Sequence, residues 1–241
     1  MWNELRDLRE GIDYGTPPRQ GAPVTLTVDG IEVTVPAGSS VMLAAALVNR
    51  PVPKLCATDM LEAFGSCRMC LIEIEGKKGY PASCTTPVEA GMVVCTESER
   101  LQNLRRGVLE LYLSDFPADE IEGGWSEFHE TIQRIGVTTH PYGKGATHAA
   151  LPVDKSNPYF LFDPAKCIVC SRCVRACEEI QGTFALTISG RGFDSKVAAG
   201  QGQSFFESDC VSCGACVQSC PTQSLVEKSL FNGEYLHAPT T

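Results

Sequence analysis

The chain has no uninterrupted apolar run of about 20 residues, the length a membrane-spanning helix requires, so none of its 241 residues reads as part of a membrane span. Its opening stretch, MWNELRDLREGIDYG, is broken up by charged residues and lacks the apolar centre of a secretory signal. Basic residues are in deficit. Against 29 Asp and Glu stand 20 Lys and Arg, a net charge of −9, and no basic stripe offsets it, so nucleic acid is not the expected partner. Histidine is scarce, with 4 copies, and there is no P-loop, no GxGxxG turn and no Ser/His/Asp set. Nucleotide binding and acyl transfer are therefore not expected of these residues, and no catalytic residue is assigned. What is abundant is cysteine, 13 in all. An odd count in a chain this long does not suit the small secreted scaffolds that disulfides hold together. The expected location is the cytoplasm, with thiols acting as metal ligands.

Eight cysteines fall in two identical runs, Cys167-x2-Cys170-x2-Cys173-x3-Cys177 and Cys210-x2-Cys213-x2-Cys216-x3-Cys220, the second followed by Pro221. This is the ligand spacing of ferredoxins that carry two [4Fe–4S] clusters, in which the fourth cysteine of each run reaches the other cluster. Cys167, Cys170, Cys173 and Cys220 are expected to hold one, and Cys210, Cys213, Cys216 and Cys177 the other. Zinc is the alternative, but zinc sites use CxxC pairs separated by longer stretches, not doubled runs of four.

A third set is Cys56-x10-Cys67-x2-Cys70-x13-Cys84, with Gly65 and Ser66 just ahead of the CxxC. Small residues there allow the backbone to approach an inorganic sulfide closely. The set suits a [2Fe–2S] cluster, with ten residues before the second ligand where plant-type sites have four. Cys95 is left over, in GMVVCTES, and reads as a buried strand cysteine acting as a small hydrophobe.

Local patterns arrange these sets along the chain. Residues 1–22 form an N-terminal segment whose Trp2, Leu5 and Leu8 lie at helical spacing, either a docking peg or a helix folded on its own domain. In residues 23–36 two alternating apolar runs flank Asp29-Gly30, the mark of a hairpin. A helix capped by Ser39 or Ser40 is expected over 39–49, and a strand over 70–76. Together these give a β-grasp [2Fe–2S] domain over 23–100. An amphipathic helix follows at 98–115, its apolar face made of Leu101, Leu104, Val108, Leu111 and Tyr112. The stretch from 116 to 157 reads as irregular and closes a linker region over 101–157. The two-[4Fe–4S] ferredoxin-like domain is expected over 158–230, with a strand pair inserted between its runs around Thr183–Ile188 and Gly190-Arg191-Gly192. A tail covers 231–241. The fold class is α+β.

CATDMLEAFGSCRMCLIEIEGKKGYPASCTTP, LRRGVLELYLSDFP and NPYFLFDPAKCIVCSRCVRACEEIQGTFALTISGRGF resemble the N-terminal iron–sulfur region of the large subunit of NAD-dependent, molybdenum- or tungsten-containing formate dehydrogenases. More distantly the chain is similar to the G-type subunit of complex I and to the small diaphorase subunit of NAD-reducing hydrogenases. The resemblance covers residues 23–230. It implies a relay of single electrons between a flavin/NAD-binding subunit and a catalytic subunit holding molybdenum, tungsten or nickel–iron. Two departures limit it. The pterin-binding catalytic domain has no counterpart here, so formate oxidation is not expected of these residues alone. The relatives also carry a cluster in an H-x3-C-x2-C-x5-C arrangement, and here Phe116 stands at the histidine position and Glu120 at the first cysteine. That cluster is expected to be lost. His129, His140 and His148 read as surface residues of a polar linker.

Arg68, Arg172 and Arg175 lie beside candidate ligands, either tuning potentials or meeting a partner, or simply solvated. Three functions follow from these readings. The first is a relay subunit of a formate dehydrogenase-like enzyme. The second is the same relay in a hydrogenase or an electron-bifurcating complex, and the third is a free ferredoxin-like carrier.

Overall fold

A computed structural model of the chain describes residues 13–121, 124–143 and 148–230. The N-terminal peg around Trp2, Leu5 and Leu8, and the tail after 230, lie outside the described residues. The chain divides into two compact units, Met1–Arg105 and Arg106–Thr241.

In the first unit, β1 (Pro23–Val28) and β2 (Ile31–Pro36) form the expected antiparallel hairpin. Its two-residue turn places Asp29 at φ 48 and Gly30 at φ 80, the paired positive φ of a turn that matches strand twist. The Asp29 carboxylate accepts from the Thr96 amide at 2.7 Å and the Thr96 hydroxyl at 2.5 Å, pinning the turn to the end of the strand that runs parallel beside β1. β3 (Glu73–Ile74) and β4 (Val93–Cys95) complete a sheet ordered β2-β1-β4-β3, with β4 parallel to β1. α1 (Val41–Leu47) begins where Ser40 Oγ accepts from the Leu43 amide at 3.1 Å. It buries Val41, Met42, Ala44 and Ala45 with Leu26, Val28, Val35, Ile72 and Val94.

The strand expected over 70–76 shrinks to two residues because the cysteine loop takes its hydrogen bonds. Ser83 donates to Cys70 O, and Ile72 to Pro81 O.

α2 (Glu99–Leu113) spans the division between the units, which falls after Arg105. Its buried line is Leu101, Arg105, Leu109 and Leu113, while Leu111 is 50% exposed. The expected apolar face is therefore rotated, and the reason is a buried cation. Arg105 donates to Leu71 O and to Thr96 O, both at 2.8 Å, so a charged residue occupies the buried stripe.

In the second unit the linker is not simply irregular. α3 (Glu127–Ile135) is capped by Ser126 Oγ and ends at Gly136, whose φ of 71 suits a helix C-cap. It turns Phe128 fully inward, against Phe116 at 4.9 Å and Tyr112 at 6.3 Å between ring centroids. Phe128→Ala is expected to destabilise this unit by about 3–5 kcal/mol, the cost of a large aromatic cavity. Urea unfolding of the full chain measures it, and a loss below about 1 kcal/mol would contradict this packing.

β5 (Phe160–Phe162) pairs antiparallel with β8 (Leu225–Glu227), drawing together the two ends of the cysteine-rich region. Between them lies the strand pair expected from the sequence, β6 (Leu186–Ser189) against β7 (Lys196–Ala199). Gly190 sits at φ +77, and a Cβ there would meet Asp194 O at 2.3 Å, so only glycine fits this turn. α4 (Arg172–Arg175) runs into a wider π-helical turn, Ala176–Gln181, and α5 is Ala215–Ser219. No helix among the described residues is long and apolar enough to cross a membrane.

Candidate iron–sulfur sites

Cys56, Cys67, Cys70 and Cys84 come together in the first unit, each at most 2% exposed. Cys70 Sγ lies 3.4 Å from Cys84 Sγ, and the Cys67 amide donates to Cys56 Sγ at 3.4 Å. The loop bends through Gly65 at φ 73 and Arg68 at φ 57. A Cβ on Gly65 would press on Thr85 Cγ2 at 3.1 Å. Hydrogen bonding between the thiols, first from Cys67 and then from Cys84, holds Cys56 far below the ordinary cysteine range. A hydrogen bond from Cys84 brings Cys70 down to about 7 against the pull of burial. The same bonds, with burial, push Cys67 and Cys84 up, since each is the partner that keeps its proton. Four buried thiols sharing protons in this way are a donor set whose chemistry fits an iron–sulfur cluster.

The loop before this site is braced by a residue that no motif announced. Asp13 accepts from Lys54 Nζ at 2.7 Å, from the Asp59 amide at 2.8 Å and from the Gly15 amide at 2.7 Å, so it brackets Cys56 on both sides. Burial raises its pKa, but the Lys54 charge and these bonds outweigh burial and leave it below 3.8. A lowered carboxylate stabilises the fold above its ordinary value and loses that stabilisation as pH falls through the lowered one. Asp13→Ala is expected to cost about 2 kcal/mol at neutral pH, and Asp13→Asn to flatten the acid limb of the stability curve. Equal acid limbs for the variant and the parent chain would contradict the bracing role.

In the second unit the two runs fold alike. The Val169 amide donates to Cys167 Sγ, and the Ser212 amide to Cys210 Sγ, both at 3.4 Å. Val169 and Ser212 have φ 52 and 56, and two residues on Ser171 and Gly214 have φ 66 and 79. Paired left-handed residues at matching positions aim backbone N–H groups at sulfur, which is how a protein tunes such a centre.

The thiols also sort into two neighbourhoods. Burial is the main cause that pushes Cys167 and Cys170 up to about 12, followed, among the charges acting on them, by Cys220. Burial and the charges of Cys167, Cys170, Cys220 and, across the two neighbourhoods, Cys216 raise Cys173 well above the ordinary range. Cys216 is raised to about 12 by burial and then by Cys210, Cys213 and Cys177. Those last three thiols and Cys216 line one cavity with Phe160, Leu186 and Phe205. Asn157 Nδ2 donates to Ser212 Oγ at 2.8 Å and reaches Cys210 Sγ at 3.9 Å. It stands 53 residues from Cys210, and no local pattern pointed to it.

Several neighbouring residues differ from their sequence reading. Arg172 and Arg175 are 1% and 7% exposed, so neither is a solvated charge nor a partner contact, whereas Arg68 is exposed. Arg172 is clasped by both oxygens of Glu127, at 2.6 and 2.8 Å, and also reaches Ser219 O at 3.4 Å.

His129 and His148 are buried, at 5% and 6% exposure, and do not lie on a polar surface. The imidazole of His129 sits between Ser126 Oγ and Glu120 O, at 2.7 and 2.8 Å. That of His148 sits between Ser195 O and Asp115, at 2.7 and 2.9 Å. Phe116, at the position where relatives were expected to carry a histidine, is 7% exposed against Phe128. Cys95 does lie in a strand, but it is half-buried and its thiol donates to Glu97 O.

Comparison with known proteins follows the same division. Residues 21–99 match the family described as a 2Fe-2S iron–sulfur cluster binding domain, and residues 166–224 the 4Fe-4S dicluster domain. The NADP-reducing hydrogenase subunit HndD of Solidesulfovibrio fructosivorans is 38% identical over 214 residues, covering 85% of this chain and 36% of the relative. The mitochondrial NADH-ubiquinone oxidoreductase 78 kDa subunit of Candida albicans is 34% identical over 212 residues, covering 86% of this chain and 29% of that protein. The chain thus spans about a third of the length of these curated relatives. Among solved structures, a chain of the NAD+-reducing [NiFe]-hydrogenase in its H2-reduced state aligns with a TM-score of 0.74 at 29% identity. That alignment covers 88% of this chain and 90% of the other. The chain thus carries a region that matches a 2Fe-2S iron–sulfur cluster binding domain and one that matches a 4Fe-4S dicluster domain, and it is similar to HndD, to the 78 kDa subunit of NADH-ubiquinone oxidoreductase and to a chain of an NAD+-reducing [NiFe]-hydrogenase.

Proposed function

We propose that this chain is a one-electron relay in an NAD(P)-linked, multi-subunit oxidoreductase, holding one [2Fe–2S] and two [4Fe–4S] clusters. What supports the reading is the pairing of Cys56 with Cys67 and of Cys70 with Cys84 in the first unit and the one cavity lined by Cys177, Cys210, Cys213 and Cys216 in the second, beside the doubled cysteine spacing. Cys56, Cys67, Cys70 and Cys84 hold the first cluster in a β-grasp domain, a reading supported by the sheet order β2-β1-β4-β3 with α1 packed on it. Cys167, Cys170, Cys173 and Cys220 hold the second, and Cys177, Cys210, Cys213 and Cys216 the third. When bound, such clusters accept and release single electrons without large rearrangement. The chain's own residues supply thiolates, aim the Val169 and Ser212 amides at sulfur, and set Phe160, Leu186 and Phe205 along one side of the cavity of Cys177, Cys210, Cys213 and Cys216, surroundings that tune potential. The partners are a flavin/NAD-binding subunit and a metal-bearing catalytic subunit.

The near end-to-end alignment with a chain of an NAD+-reducing [NiFe]-hydrogenase favours a hydrogenase-type complex. A formate dehydrogenase-like complex is the second reading, favoured by the cysteine-block wording that singled out that family. Metal analysis of the anaerobically isolated native complex separates them. Nickel is the expected companion of iron, molybdenum or tungsten would move the chain to the second reading, and zinc in place of iron would overturn both.

A further inference from the structure

The two cysteine runs fold alike, yet their surroundings do not match. Around the first run α3 forms a cover, with Glu127 clasping Arg172 and the Phe128 amide donating to Pro221 O at 3.0 Å. In that run Ile168 and Cys170 are each 8% exposed. Their counterparts in the second run are open. Val211 is 53% exposed, and Cys213 is exposed where the seven other cysteines of the two runs are not.

Beside this opening stand Phe184, 67% exposed, and Phe206, 74% exposed. Each directly follows a residue that lines the cavity of Cys177, Cys210, Cys213 and Cys216, namely Thr183 and Phe205. Phe184 is held at φ 54, a left-handed conformation that is costly for a bulky side chain and marks functional surfaces more often than idle ones. Exposed Lys155 precedes Ser156, whose hydroxyl accepts from the Phe206 amide at 3.1 Å, and exposed Arg191 and Lys196 lie at the β6–β7 turn. The rest of the neighbouring chain is acidic: residues 176–190 and 197–227 contain Glu178, Glu179, Glu207, Asp209 and Glu227 and no lysine or arginine. Of these, Glu178, Glu179, Glu207 and Asp209 are exposed. Lys228, which follows, turns its ammonium onto the carbonyls of Lys155 and Asn157.

We propose that this face, with Phe184, Phe206 and Val211 at its centre and acids around them, is where electrons cross to a protein partner whose own face is apolar at the centre and ringed by lysine or arginine. The inference rests on the cluster assignment above and adds which centre is the terminal one. The pairing follows ordinary interface anatomy, with an apolar core against an apolar core and complementary charges at the margin that steer encounter. The electron step needs no bond change: the chain's centre loses one electron and the acceptor gains it.

The test uses the full chain with its clusters assembled and a basic c-type cytochrome as probe. A lysine-acetylated, acidic form of that cytochrome is the control. Binding of the oxidised proteins and the rate of ferric haem reduction by the reduced chain are both measured as salt is raised. Expected are tighter binding and faster reduction for the basic form, both falling with ionic strength. The charge reversal Glu178→Lys, Glu179→Lys, Glu207→Lys and Asp209→Lys should invert that preference. Phe184→Ser with Phe206→Ser should weaken binding and slow reduction about tenfold or more. Reduction of a small neutral quinone, and the electron paramagnetic resonance of the clusters, should stay unchanged. Parent rates and affinities in both variants, with clusters intact, would overturn the docking face alone. Absence of cluster signals from the parent chain would overturn the assignment beneath it.

Discussion

Replacing Cys220 by serine is expected to remove about four iron atoms per chain, and the centre lost is the one held by the other run. Cys220 is a charge neighbour of Cys167, Cys170 and Cys173, while Cys177 shares a cavity with Cys210, Cys213 and Cys216. The fourth cysteine of each run therefore sits in the opposite neighbourhood. Cys177→Ser is the mirror experiment, and exposure tells the survivors apart. The centre that remains in Cys220→Ser lies at the open face beside Cys213, so a chelator or oxygen should bleach it quickly. The centre that remains in Cys177→Ser lies beneath α3 and should bleach slowly. The reverse order would show that each run keeps its own fourth ligand, and equal rates would contradict the difference in shelter between the two centres.

Glu127→Ala is expected to destabilise the second unit by about 3 kcal/mol, and Arg172→Met by clearly less. The two members of this pair are not equivalent. The Arg172 side chain is 2% exposed and that of Glu127 is 45% exposed. Removing the carboxylate takes the bidentate counter-ion from a buried guanidinium. Removing the guanidinium leaves a carboxylate that water can reach, and methionine refills much of the buried volume. The pair holds α3 over the first run, so Glu127→Ala should also raise the bleaching rate of the sheltered centre towards that of the open one. Thermal unfolding of the full chain with clusters assembled, followed by circular dichroism and by cluster absorbance, reads both effects. A larger loss for Arg172→Met than for Glu127→Ala would contradict the asymmetry in burial between the two side chains.

The candidate ligand sets were legible because cysteine spacing is written locally. Two runs of four cysteines and one CxxC with two outlying partners fall within short loops, and spacing alone nominates the ligand sets. The hairpin at Asp29-Gly30, the Ser40 cap and the strand pair around Gly190 were legible for the same reason: each depends on a few adjacent residues. What periodicity misread were features decided across long separations. Arg105 sits on the buried stripe of α2 because two carbonyls, Leu71 O and Thr96 O, take its donors, and a pattern of apolar residues has no means to score that.

The nine residues of α3 carry Ser126 and Gly136 as ordinary caps, yet its first turn is held by Arg172, 45 residues on. Surface histidines were expected at 129 and 148 because the linker is polar. Both are buried because carbonyl oxygens and a carboxylate stand ready to receive their N–H groups. Asp13 and Asn157 brace candidate sites across 41 and 53 residues, and neither belongs to a motif.

The central claim is that three four-thiol groups hold three iron–sulfur clusters of two kinds. Mössbauer spectroscopy of the full chain assembled anaerobically with iron-57 tests it most directly. The account predicts about ten iron atoms per chain, about one fifth in a [2Fe–2S] signature and the rest in [4Fe–4S] signatures. The [2Fe–2S] component should vanish in Cys70→Ser while the [4Fe–4S] component persists. A single cluster type, iron for only one cubane, or tetrahedral zinc filling the same thiols would contradict it.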